Sequence, residues 1–294
     1  MLICRHREEG GCSIADKNES PTRTINREMV VVLGWGRAIL LQLAHPLVAA
    51  GIADFSTFRT GFHGYTARVT RTVGSMLALT FGTEADVQAG ASRINAVHKR
   101  VRGTLREPAG PFPAGTTYSA RDPELLRWVH ATLLDSMLLA YEKFVGPLTG
   151  ETQDQYCAEA SMMAPLLGIG EGALPCSRAE LDEYMSAMRI SGEIQVTNQA
   201  RIVASDLLAP PLGPAVTPLL WPVRLITLGL LPPHLRDAYG FPWDARDERR
   251  FLRSVSVVKR ARSLLPPFLR EWPAARTARR SAGQPAPPQR PTTR

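Results

Sequence analysis

Apolar residues recur at intervals of three and four along most of this chain, and the alternating β-branched runs that announce strands are nearly absent. That periodicity restricts the fold to packed helices, and an all-α single domain is the expectation. Four segments show it best. The first runs from Arg27 to Ala50, with Gly34, Ala38, Leu41, His45 and Val48 on one face. The second, about 67–80, follows the glycine-marked turn GFHG. The third opens at Thr83, where TEAD has the form of a capping box, and is expected to end at Gly103. Its apolar face reads Val87, Ala91, Ile94, His98 and Val101. The fourth starts at Asp122-Pro123, an N-cap followed by proline at the first helical position, and carries the stripe Leu126, His130, Leu133, Met137, Ala140. Further helices are expected over 152–166, 178–205 and 244–263, with 207–243 irregular.

The ends differ in composition. Residues 1–25 are polar and read as a flexible segment, 26–265 as the folded body, and 266–294 as a basic, proline-rich, disordered tail. The tail explains much of the formal net charge of +8, because residues 271–294 hold five arginines against Glu271 alone. The remaining +4 on the body excludes a dedicated nucleic-acid reader. The four cysteines form no CxxC pair and no zinc spacing, so a reducing compartment is expected. The N-terminus shows no apolar signal core, so the reading is a cytoplasmic protein without a signal peptide. Met29–Ile52 is apolar, but Arg37, Gln42, His45 and Pro46 interrupt it, and it reads as a buried core helix rather than a membrane span. A second apolar run, 207–231, is broken by prolines and leaves a peripheral membrane contact open.

Three helices thus place one histidine each in line with an apolar stripe: His45, His98 and His130. A lone histidine in such a place is more often a buried neutral imidazole than a ligand. No HExxH, facial-triad or ExxH spacing is present, so neither zinc nor a di-iron centre has a local signature. A haem needs one axial nitrogen, an apolar slot and cations near its propionates, and one buried histidine satisfies the first need. Residue pattern alone leaves a metal or haem site open. GWGRA at 34–38 lacks a preceding strand and reads as close helix packing rather than a phosphate loop. Without GxSxG there is no hydrolase elbow, and nothing links Ser56, Asp135 and Glu159.

Taken together, GWGRAILLQLAHPLVAAGIADFSTFRTG, ARVTRT, INAVHKRVRG and YSARDPELLRWVHATLLDSMLLAYEKFVGPLT, followed by YMSAM and LPPHLRDAYGFPWD, resemble the catalytic domain shared by rubber oxygenases and MpaB-type oxygenases. The resemblance implies a globin-like helical core around haem b, whose iron activates dioxygen to oxidise or cleave a C=C bond of an isoprenoid-like substrate. It implies that His98, in AVHKRVRG, is the iron ligand. Arg68 and Thr72, the ends of an RxxxT element, share a helix face; the arginine would grip a propionate and the threonine supply a hydrogen bond. Some rubber oxygenases carry a distal lysine ligand where Arg71 stands here; a guanidinium has no free lone pair, so the iron is expected to be five-coordinate or water-ligated. Asp54 aligns loosely with an acidic residue proposed as a base. His45 and His130 are expected to line or orient the pocket. The expected partners are dioxygen and a small lipophilic unsaturated molecule, with no specific nucleic acid. Two other readings stay open: a non-haem metal oxygenase using His45, His98 and His130, and a haem- or lipid-binding module without turnover.

Overall fold

A computed structural model of the chain describes residues 20–55, 61–209 and 217–282. The elements are α1 (Pro21–Asn26), a 3-10 helix (Met29–Gly34), α2 (Trp35–Leu43), α3 (Pro46–Phe55), α4 (Gly61–Phe81) and α5 (Glu84–His98). A two-stranded antiparallel ribbon follows, β1 (Arg102–Thr104) and β2 (Thr117–Ser119). Then come α6 (Pro123–Phe144), α7 (Gly150–Ser161), a 3-10 turn (Pro165–Leu167), α8 (Arg178–Ile190), α9 (Asn198–Leu208) and α10 (Thr217–Leu230). The last elements are α11 (Pro233–Tyr239), α12 (Ala245–Leu264), α13 (Pro267–Arg270) and α14 (Pro273–Ala282). The fold is all-α, with the short ribbon pairing Gly103 against Tyr118.

Helix α6 is the axis of the molecule. Asp122 accepts a hydrogen bond from the Glu124 amide at 3.0 Å, and Pro123 takes the first turn, as the sequence pattern predicts. Its long buried surface, from Leu125 to Phe144, packs against the first 3-10 helix, α2, α8 and α12. Met137, Leu138, Ala140 and Phe144 join Val31, Leu225, Ile226 and Phe251 in the main core; Trp128 reaches a second core with Leu40, Leu43 and Ala200. A buried ion pair ties α2 to α6: Arg37 meets Asp135 at 2.7 Å, donates to Ser136 Oγ at 2.7 Å and reaches the Leu230 carbonyl at 3.0 Å. Asp135 and Glu159 are therefore scaffold groups; Glu159 accepts the Thr22 amide at 2.9 Å.

The structure departs from the sequence reading in several places. The expected helix over 27–50 is three pieces, and the Met29–Leu43 and Pro46–Phe55 parts are bent by 109° at Ala44-His45. Proline cannot continue a helix but can begin one, and Pro46 does so. The third helix stops at His98 rather than Gly103, because Arg102–Thr104 pairs as a strand. Residues 178–205 break at 191–197, where the Thr197 side chain caps a new helix. The 207–243 region holds α10 and α11, so it is not irregular throughout. Packed helices also lie outside 26–265: α1 buries Ile25 and Asn26, and α14 buries Ala275. Among the described residues no single helix is long and apolar enough to cross a membrane. Cys157 is a buried thiol, and Cys176 is disulfide-bonded.

Candidate functional site

Helix α5 presents His98 as its last residue, and its register is set at the other end by a capping box. The Thr83 side chain accepts the Asp86 amide at 3.3 Å, and the Asp86 carboxylate accepts the Thr83 amide at 3.0 Å. Three residues before His98, Asn95 donates to the Leu166 carbonyl at 2.8 Å and pins the helix to the second 3-10 turn. His98 is half-buried. Its Nδ1 is sealed from solvent and has no hydrogen-bond partner among the described residues. Burial also pushes the imidazole below its ordinary 6.5, which keeps it neutral at pH 7. A buried polar nitrogen without a partner costs roughly 1–3 kcal/mol. This one is in the state required of a ligand: neutral, with an uncommitted nitrogen.

Helices α4 and α5 pack against each other as a hairpin. Gly90 of α5 lies against Ala78 and Leu79 of α4, where an added Cβ would sit 3.6 Å from either side chain. Two antiparallel helices have the same rise per residue. Carried eight residues further along α5, the register sets His98 level with Thr70–Arg71, inside the 68–72 element. The side chains of Arg71 and Thr72 are exposed; that of Arg68 lies outside the described residues, as does Ser56.

Past His98 the chain turns against α3. Val101 touches Gly51, where a Cβ would be 3.2 Å from Cγ1. One helical turn beyond Gly51, Asp54 accepts the phenolic hydrogen of Tyr118 at 2.5 Å, with the exposed Arg106 at 3.8 Å. Tyr118 is 4% exposed, and burial together with the Asp54 charge raises its pKa well above the usual phenol value. The sequence reading missed Tyr118 because its partner lies 64 positions away; a lone tyrosine in an alternating triplet carries no local signal.

The other two histidines divide. Both nitrogens of His45 have neighbours. Nδ1 accepts the Leu47 amide at 3.3 Å, and Nε2 lies 3.6 Å from Glu193; Phe112 packs on the ring at 5.4 Å. His45 is 2% exposed and sits at the α2–α3 bend, where it holds the corner. His130 on α6 resembles His98. Its Nε2 is buried and unpartnered, and burial lowers its pKa to about 4. The neighbouring Trp128 Nε1 is unpartnered as well. Among the described residues no three His, Cys, Asp or Glu side chains converge as a metal cluster. The structure therefore brings Val101, three residues after His98, against Gly51, one turn from the Asp54–Tyr118 pair; the hairpin register alone relates His98 to the 68–72 element, and His45 stands at the α2–α3 bend.

Compared with known proteins, residues 22–260 match the family described as "ER-bound oxygenase mpaB/B'/Rubber oxygenase, catalytic domain". Two mycobacterial proteins are similar in sequence: Uncharacterized protein Mb2261 of Mycobacterium bovis and Uncharacterized protein Rv2237 of Mycobacterium tuberculosis. Each is 29% identical over 239 residues, covering 78% of this chain and 87% of its own length. No solved structure matches the chain.

Proposed function

The chain belongs to the MpaB/rubber-oxygenase catalytic-domain family, and on that premise we propose that it is a haem b-dependent oxygenase acting on a C=C bond of a small lipophilic, isoprenoid-like molecule. Membership of an oxygenase family makes the protein an oxidoreductase that uses dioxygen and an organic substrate. The observation that supports haem is the neutral, half-buried imidazole of His98, whose Nδ1 is sealed from solvent and unpartnered. His98 would hold the iron, and Arg68 would pair with a propionate from the facing helix. Haem, when bound, supplies the iron that activates dioxygen. The chain's own contributions are simpler. Arg71, whose guanidinium has no free lone pair, would supply no ligand to the iron. The Thr72 hydroxyl would serve as a hydrogen-bond donor to the bound group, and the Asp54–Tyr118 pair holds a proton at Tyr118 Oη.

One observation favours a second reading. His130 also keeps a buried nitrogen unpartnered, Nε2 where His98 has Nδ1, and either would be a donor to a non-haem metal. An absorption spectrum of the purified protein, with pyridine haemochrome and metal analysis, separates the readings. The expected result is a Soret band lost in His98→Ala and retained in His45→Ala and His130→Ala. Colourless protein carrying stoichiometric iron, manganese or zinc overturns the haem reading in favour of the second. A haem-loaded protein that consumes no oxygen with any unsaturated terpenoid would be a binding module instead.

A further inference from the structure

We propose that the outward face of α12, together with the turn that follows it, is a docking surface for an anionic lipid bilayer. Residues 249–270 contain seven cations (Arg249, Arg250, Arg253, Lys259, Arg260, Arg262, Arg270) and no acidic residue. Two of them face inward: Arg262 grips Glu28 through bonds of 2.6 and 2.8 Å, and Arg270 stands 4.0 Å from the same carboxylate. Arg250 pairs with Asp247 at 3.2 Å. The other four, Arg249, Arg253, Lys259 and Arg260, are exposed and make no ion pair with a described acid.

Helical spacing sorts these residues. At 100° per residue, Arg249, Arg253 and Arg260 fall on one stripe, with Val257 and Leu264 along one side and Leu252 with Lys259 along the other. The opposite side of α12 is occupied, since Phe251, Val255 and Val258 pack into the main core. The helix is therefore held rigidly with its cationic face outward. At its end the chain reads LLPPFL, and here the exposure is unusual: Leu264 is 84% exposed, Phe268 60%, Leu269 48% and Leu265 40%. Val257 and Leu252 are more than half exposed as well. On the adjoining α10, Trp221 is exposed, with the Arg250 guanidinium 5.9 Å from its ring.

Charge complementarity selects the partner. A surface of unpaired cations free of acids attracts an anionic sheet, and each Lys or Arg near such a surface adds to the attraction. The apolar tip decides between a bilayer and a nucleic acid. Leu264, Leu265, Phe268 and Leu269 gain nothing from a phosphate backbone, but at a lipid interface they leave water while the flanking arginines remain among headgroups. Tryptophan at the margin is the side chain favoured at headgroup depth. This inference rests on α12, the turn after it and the adjoining Trp221, and is independent of the oxygenase reading.

Co-sedimentation of the full chain with vesicles tests it, comparing pure phosphatidylcholine with phosphatidylcholine containing about 30 mol % phosphatidylserine. Binding is expected only to the anionic vesicles, weakening as salt is raised toward about 1 M. The triple replacement Arg249→Glu/Arg253→Glu/Arg260→Glu should weaken it at least about tenfold, and Leu264→Ser/Phe268→Ser should weaken it severalfold. All five side chains are exposed, and unchanged melting curves confirm that the variants fold. Absence of binding to anionic vesicles overturns the proposal, as does equal binding by either variant. It is likewise overturned if a DNA duplex binds the chain, loses binding on charge reversal and is indifferent to Leu264→Ser/Phe268→Ser, while vesicles remain bare.

Discussion

At the scale of the residue, burial separates imidazoles that look alike in sequence. His45 is drawn down from 6.5 to about 4 by burial, against the opposing charge of Asp122 and a backbone hydrogen bond. Glu193, 3.6 Å away, is itself 43% exposed, so its pull is screened and desolvation wins. A folded-state pKa below the unfolded one means that the unfolded chain takes the proton first. The contribution to stability is thus complete above pH 6.5 and is lost as the pH falls toward 4; the shift corresponds to about 3 kcal/mol. Urea denaturation of wild type and His45→Gln across pH 7 to 4 measures this. The variant should lose stability less steeply, and parallel slopes would contradict the assignment. His98 differs from His45 by keeping Nδ1 uncommitted, a distinction that spacing along a helix cannot supply.

At the scale of the element, the glycines of GWGRA act as the close-packing reading expects. A Cβ on Gly34 would meet the Ser136 carbonyl of α6 at 2.5 Å, and a Cβ on Gly36 would run into the Thr227 side chain of α10. These glycines let α2 lie close to both neighbours, which seats Arg37 on Asp135. Alanine has the higher helix propensity by up to about 1 kcal/mol, but overpacking here costs about 1–3 kcal/mol. Gly36→Ala should therefore destabilise on balance, and adding Thr227→Ala should restore part of the loss in thermal melts. If Gly36→Ala stabilises the protein, the contact is looser than the structure shows. The capping box at Thr83 was readable because both partners lie within four residues. The break at Ala44-His45 was harder to read, because its apolar stripe continues through the corner and only Pro46 marks it.

At the scale of the whole molecule, the two ends of the described chain are clasped by charge. Glu28 and Glu271, each 3% exposed, face one another across an isolated antiparallel bridge. Arg262 binds Glu28 with both carboxylate oxygens engaged, while Arg279 meets Glu271 at 2.7 Å and Arg27 lies at 3.7 Å. The charged C-terminal region is in this part a structural closure rather than a solvating tail. Removing one partner leaves the other buried and uncompensated, so Glu28→Ala should cost about 3–5 kcal/mol in chemical denaturation. Replacing the pair together, as Glu28→Leu/Arg262→Met, should recover most of it. A double variant no better than Glu28→Ala would show that the clasp matters for more than burying charge.

What the sequence by itself determined was local in origin. The all-α class, the caps at Thr83 and Asp122 and the close approach at Gly34–Gly36 follow from residues within a turn or two of each other; the family follows from several motifs in order. What only the tertiary structure decided was long-range. It paired Arg37 with Asp135, Tyr118 with Asp54 and Glu28 with Arg262, at separations of 98, 64 and 234 positions. It also folded residues 266–282 back onto the body and left a nitrogen of His98 uncommitted while engaging both of His45. The physical reason is that helix propensity and capping are set by neighbours along the chain, whereas burial, and with it the pKa and the partner of a polar group, is set by whatever the fold packs against it.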